Sequence, residues 1–129
     1  MNFVYKRKIN YYETDKMGVV HHSNYIRFLE ETRCRWMESI NLPMEVLEVK
    51  CKYKYHITSG DTLIIKPVLS EFNGVRMTVD YEVTDEKTGK TVIEAQTKHC
   101  FTTNELKPIN LKKYNEDFYE KFLKLNIEK

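Results

Sequence analysis

The sequence predicts an α+β fold: a five-stranded antiparallel sheet wrapped around one long central helix, followed by a helical tail. Two observations carry this. The stretch from Asn24 to Ile40 repeats its apolar residues at helical spacing, whereas the chain from Val49 to Thr102 alternates with a period of two. The alternating part is punctuated by hairpin-type turns. Hairpins force antiparallel pairing, and a lone long helix must cover the apolar face of the sheet they build.

From Phe3 to Tyr11 the odd positions Phe3, Tyr5, Ile9 and Tyr11 are apolar and most even ones polar, which describes a strand with one buried face. A Gly-containing loop follows. The helix is expected from about Asn24, with Ser23 or Asn24 as its N-cap, to Ile40, where Asn41-Leu42-Pro43 stops it. Its apolar residues Tyr25, Ile26, Phe28, Leu29, Trp36, Met37 and Ile40 cover about half the circumference, so other structure should embrace it.

Val49 to Ile57 reads as the next strand, Ser59-Gly60-Asp61 as a turn and Thr62 to Leu69 as a further strand. Pro67 cannot donate to a ladder and should therefore face an edge or a bulge. Asn73-Gly74 signals a hairpin, after which Met77, Val79, Tyr81 and Val83 share one face. The run from Asp85 to Gly89 turns the chain into Val92 to Thr102. Tyr114, Phe118, Phe122 and Leu125 then mark a C-terminal helix over about 113–126.

The 129 residues, 41% hydrophobic and 31% charged, suit a single domain spanning 1–129 with one buried core. A formal charge of +2 is too small to indicate nucleic acid as a bulk polyanionic partner. Lys50, Lys52 and Lys54 alternate with Cys51, Tyr53 and Tyr55, so cations and rings face opposite ways. A base-stacking platform needs them on one surface, and a solvated sheet face explains the stripe better. Cys34, Cys51 and Cys100 are odd in number and far apart, which suggests free thiols in a reducing compartment. The first residues contain no signal-peptide core and no segment is long and apolar enough to span a membrane, so a cytoplasmic location is expected.

The chemistry concentrates in Tyr11 to Tyr25. There a strand ends, Asp15 sits in a short loop with Gly18, and the helix begins at once. A carboxylate beside the backbone N–H groups of a helix start suits reactions of a polarised carbonyl, because those donors can hold a developing oxyanion. Aspartate between a strand and a helix more commonly caps a turn, so Asp15 gains weight only from its neighbours. His21 and His22 are not expected to bind a metal, since adjacent side chains at a helix start diverge and no third ligand is suitably spaced. His22 can serve instead as a proton donor or carbonyl hydrogen-bonder. Glu30 has Arg33 at i+3 and is expected to form a structural ion pair with it. His99 shares a face with Ala95, Thr97 and Phe101, and reads as a satisfied, half-buried histidine.

Thr14-Asp15-x-x-Gly18-Val19-Val20-His21-His22-x-Asn24-Tyr25, with Ile9 upstream, resembles the signature of the hotdog-fold acyl-CoA thioesterases, of the 4-hydroxybenzoyl-CoA and Tol–Pal-associated types. Glu30-x-x-Arg33, Gly60-Asp61 and Lys107-Pro108-Ile109 extend the resemblance, which covers roughly Tyr5 to Leu111. It implies that Asp15 is the catalytic carboxylate, acting as nucleophile or general base, and that the backbone N–H of His22 faces the thioester carbonyl. It implies no cofactor or metal, and homodimers or homotetramers built on a continuous sheet. Gly18 and Val19 are expected in the substrate site, and Tyr25, one position after the helix start, can line the acyl pocket or simply belong to the core. His21 departs from the aromatic residue usual at its position. Acyl-CoA is the expected substrate, with acyl carrier protein as an alternative thiol carrier. Among the basic residues Arg76, Lys98, Lys107, Lys112 and Lys113, Arg76 and Lys107 are the candidates for the CoA phosphates. Two other readings stand beside hydrolysis: a hydratase or dehydratase on the same fold, whose His-Phe-Pro or Asp-x-x-x-x-His patterns are missing here, and a non-catalytic acyl-CoA-binding or interaction module.

Overall fold

A computed structural model of the protein describes residues 3–37 and 44–127. In chain order the elements are β1 (Tyr5–Lys8), a single 3-10 turn (Tyr11–Glu13), α1 (His22–Trp36), β2 (Met44–Tyr53), β3 (Thr62–Phe72), β4 (Arg76–Asp85), β5 (Thr91–Phe101), α2 (Leu111–Tyr114) and α3 (Glu116–Ile127). The strands form one five-stranded sheet in the order β1-β3-β4-β5-β2, with every neighbouring pair antiparallel. This is the α+β hotdog architecture expected from the sequence.

Register explains the core. Ile65 lies opposite Val83, and Leu69 opposite Val79; across the next ladder Val79 meets Thr97 and Val83 meets Ile93. Residues paired this way share a face, and that face joins Tyr25, Phe28 and Leu29 of α1 in one buried cluster. Each large apolar side chain sequestered there contributes about 1.5–3 kcal/mol relative to exposure. The expected strand face Met77, Val79, Tyr81 and Val83 is buried throughout.

Several boundaries differ from the sequence-based expectation. β1 stops at Lys8, and Tyr11 is 83% exposed rather than on the buried face. The cause is local: the Asn10 N–H donates to the Glu13 carboxylate at 2.9 Å and bends the chain into the 3-10 turn. α1 begins at His22, earlier than expected, with His21 rather than Ser23 or Asn24 as N-cap. Its buried stripe is narrower, because Ile26 is exposed. Ile40 and the expected stop at Asn41-Leu42-Pro43 lie outside the described residues. β2 starts at Met44, before Val49, and ends at Tyr53, since its pairing with β5 runs from Met44 opposite Phe101 to Tyr53 opposite Ile93.

Pro67 lies beyond Ile65, the last β3 residue paired with β1, and just ahead of a bulge between Leu69 and Glu71. At the β3–β4 turn the Asn73 side chain accepts from the N–H groups of Val75 and Arg76, and Gly74 has φ +88°. A Cβ there would meet the Asn110 side chain and the Tyr119 ring, each at 3.2 Å, so glycine serves both the turn and the close approach of the tail. The tail is two helices broken at Asn115, whose side chain accepts from the Phe118 N–H. Phe122 is fully buried against Phe72 and Phe101, whereas Tyr114 turns to solvent.

Candidate active site

The loop after the 3-10 turn folds back on itself. The Asp15 N–H donates to the Val19 carbonyl at 2.8 Å, the Gly18 N–H donates to the Asp15 carbonyl at 3.0 Å, and Thr14 bridges Val20. Gly18 takes φ +79°, a conformation that side chains strongly disfavour, so the turn depends on its identity. Val19 bridges Thr58, and the Val20 N–H donates to the Ile57 carbonyl at 2.8 Å, which ties the returning arm to the β2–β3 connection. Asp15 is exposed at the tip. Its Oδ1 accepts from the Met17 N–H at 2.8 Å, and Oδ2 has no hydrogen-bond partner among the described residues. The carboxylate therefore does cap a turn, with one oxygen, and keeps the other available.

The start of α1 stands beside this loop. The His21 N–H donates to the Glu13 carbonyl at 3.2 Å, and the Asn24 side-chain amide donates to the same oxygen at 2.8 Å. His21 Nδ1 accepts from the Ser23 N–H, and the Asn24 N–H donates back to the His21 carbonyl at 2.9 Å. The His22 N–H, first in the helix, makes no hydrogen bond among the described residues. It sits where the partial positive charge of the helix is concentrated. The His21 and His22 rings do not diverge, as the sequence reading had it, but stack with centroids 4.5 Å apart.

Next to His22 lies a cleft of about 340 Å³, lined by Val20, Tyr25 and Tyr53 together with Lys54, Tyr55 and His56. Tyr53 is the hinge of its aromatic wall, 5.8 Å from the His22 ring and 5.7 Å from the Tyr25 ring. Burial, and then the proximity of Tyr53, push the Tyr25 hydroxyl up to about 12, so Tyr25 is a neutral phenol across the working pH range. Lys54, part of the stripe read from the sequence as solvated, is exposed and also borders this cleft.

Asp15, Gly18, Val19, His22 and Tyr25 thus gather at one end of the strands, where the Ile9 N–H donates to the Asp61 carbonyl and the Ile9 carbonyl accepts from the Gly60 N–H just ahead of β3. Arg76 opens β4 and Lys107 follows β5, which puts both at the opposite end of the sheet within one chain. Arg76 lines a separate cleft of about 370 Å³ with Lys98, Glu48 and Phe72.

The expected Glu30–Arg33 ion pair does not form. Arg33 donates to the Tyr81 hydroxyl at 3.1 Å, Glu30 points to solvent, and Glu31 is the carboxylate that is engaged, by Arg7 at 3.0 Å and by the Tyr5 hydroxyl at 2.9 Å. One helical position decides this, because Glu31 faces β1 and Glu30 does not. His99 is 1% exposed, more deeply buried than expected; Nε2 meets the Thr97 hydroxyl at 2.7 Å and Nδ1 has no partner among the described residues. Among the described residues no three His, Cys, Asp or Glu side chains converge to hold a metal ion.

Sequence reasoning passed over Arg7, Glu13 and Tyr53 as parts of this region. Arg7 carried a signal: it is a charge at an odd position between Tyr5 and Ile9, on the face called apolar, and such a charge must find a partner. Tyr53 had none, since its meeting with His22 and Tyr25 is set by tertiary structure.

Comparison with known proteins places this geometry in context. The family model of the thioesterase superfamily matches residues 17–92. The structure of a hypothetical protein from Aquifex aeolicus is 36% identical, covers 78% of this chain and 100% of its own, and superposes with TM-score 0.72. The DHNA-CoA thioesterase of Staphylococcus aureus is 26% identical, with 98% of this chain and 91% of that chain covered, at TM-score 0.88. A 1,4-dihydroxy-2-naphthoyl-CoA hydrolase of Synechocystis is 22% identical over 81% of this chain and 85% of its own length. Among the described residues no helix is long and apolar enough to cross a membrane.

Proposed function

Because the chain belongs to the thioesterase superfamily, we propose that it hydrolyses an acyl-CoA thioester to the free acid and CoA, with Asp15 and the start of α1 as the reacting groups. The observation that carries this is the pairing of a carboxylate having a free oxygen with a helix whose first N–H, at His22, is unengaged. In the reaction the thioester carbonyl oxygen accepts from the His22 N–H, which stabilises the negative charge that grows as the carbonyl carbon is attacked. The attacking oxygen belongs either to Asp15, giving an acyl anhydride that water then opens, or to a water whose proton Asp15 takes. In both routes the carbon–sulfur bond breaks, CoA leaves as thiolate, and in this reading the His22 imidazole donates the proton that it takes up.

Gly18 and Val19 form the loop wall of the acyl site, and Tyr25 with Tyr53 its aromatic side. That wall, and the 1,4-dihydroxy-2-naphthoyl-CoA substrate in the name of the Synechocystis relative, favour a planar aromatic acyl group. The functional unit in this reading is a homodimer. Antiparallel pairing of two β2 edges would bring the Arg76 and Lys107 end of one copy beside the Asp15 end of the other, where they can meet CoA phosphates.

The direct test is Asp15→Asn, which preserves an acceptor for the Met17 N–H and removes only the charge. Thiol release from a panel of aromatic and aliphatic CoA esters should fall about 10³-fold or more, consistent with loss of a reacting group. Retention of most of the wild-type rate would reject Asp15. Hydration of an enoyl ester, or CoA-ester binding with no thiol release, would favour the two other readings.

A further inference from the structure

A charged cluster lies directly behind the catalytic loop. Glu13 is 6% exposed and closes the 3-10 turn two residues before Asp15. Its carboxylate accepts from the Arg7 guanidinium through both oxygens and from the Asn10 N–H. Arg7 also donates through Nε to Glu31 at 3.0 Å and through Nη1 to the Lys8 carbonyl at 2.6 Å, and its guanidinium stacks 4.7 Å from the centre of the Phe28 ring. Burial works against the Arg7 charge, but the hydrogen bonds to Glu13 and Glu31 more than offset this and raise its pKa. One guanidinium thus joins β1, the turn before the loop and the middle of α1.

The backbone of Glu13 completes the connection. Its carbonyl accepts from the Asn24 side chain and the His21 N–H, so the residue whose side chain is fixed by Arg7 is also the residue that holds the helix start. Asp15 lies two residues from Glu13 on one side of this junction, and His22 adjoins its donor His21 on the other. We propose that Arg7, Glu13 and Asn24 are positioning residues that set the distance between the Asp15 carboxylate and the His22 N–H. This rests on the reading of Asp15 and His22 given above. Reaction rates respond steeply to such spacing: a displacement of about 1 Å between reacting groups can cost about 10²-fold. A purely structural ion cluster would lower stability and leave the folded enzyme's turnover alone.

Asn24→Ala is the primary variant, since it removes only the amide that grips the Glu13 carbonyl and changes no charge. Arg7→Lys keeps the charge and loses the two-pronged contact. Both are assayed for kcat and KM with a CoA ester that the wild type hydrolyses, at a temperature where circular dichroism shows each fully folded. Hydrogen exchange is followed at Asp15 and Val20, whose N–H groups are bonded to Val19 and Ile57. The expected result is a fall in kcat of about tenfold or more with KM changed less than about threefold, and faster exchange over 14–22. Unchanged kcat in folded Asn24→Ala overturns the proposal, even if its melting temperature drops. Asp15→Asn run alongside separates the two claims: if it retains activity the reading of the site fails, whereas if it is inactive and Asn24→Ala is not, only the positioning role fails.

Discussion

At the scale of single residues, two different donors coincide at His22, its backbone N–H and its imidazole, and a pair of substitutions separates them. His22 is the first residue of α1, where proline is well tolerated because the N–H it lacks has no intrahelical partner. His21 is already extended, at φ −66° and ψ 134°, as a residue before proline must be. His22→Ala removes the ring and keeps the N–H; His22→Pro removes both. Loss of one oxyanion donor costs about 10²–10³ in turnover, so His22→Pro should fall below His22→Ala by about that factor in thiol-release assays, with both proteins folded. Equal rates in the two variants would remove the backbone donor from the mechanism. That Asp15, Gly18 and His22 lie together was legible because their spacing is local, fixed within one loop and one helix start. It did not disclose Tyr53, which reaches the same cleft from the far edge of the sheet, nor the choice of Glu31 over Glu30, which depends on where Arg7 sits.

At the scale of elements, α1 lies on the sheet across a polar seam as well as an apolar core. Arg33 on the helix donates to the Tyr81 hydroxyl, Tyr81 meets the Thr97 hydroxyl at 2.8 Å, and Thr97 meets His99 at 2.7 Å. The period-two pattern placed Tyr81, Thr97 and His99 on the inner face correctly. Their linkage was not legible, because it needs the register of β4 against β5 and the rotation of α1 about its axis. The seam has a pH consequence. Burial, and then the charge of Arg33, lower the His99 imidazole from 6.5 to about 4. The native state therefore holds His99 neutral while the unfolded chain binds a proton as pH falls below 6.5. The corresponding stability is fully present above that pH and is lost progressively as pH falls toward 4, by on the order of 3 kcal/mol. Urea denaturation of wild type and His99→Gln across this window should give a shallower decline for the variant. Parallel curves would mean that His99 takes up no extra proton on unfolding.

At the scale of the whole molecule, the helix layer is too narrow for its sheet. β2 is an edge strand, and Val46, Val49 and Tyr53 lie opposite His99, Thr97 and Ile93, which assigns them to the face that α1 covers elsewhere. Yet Val46 is 47% and Tyr53 50% exposed. Apolar side chains on the inner face of an edge strand invite a second chain, and a second β2 would extend the sheet and lower its own exposed row at once. The sequence suggested this only in outline, through a single helix set against many strands; which strand stays uncovered depends on β2 pairing with β5 rather than with its neighbour in the chain. In the proposed dimer a twofold axis would exchange the ends of the sheet and set Arg76 and Lys107 of one copy near Asp15 of the other. The wild type should therefore be at least a dimer by light scattering at micromolar concentration. Val49→Lys, which sets a charge in the middle of that row, should shift it to monomer and reduce thiol release in step with dissociation. A wild type that is monomeric and fully active would mean that one chain carries the whole site and that the uncovered face of β2 has another use.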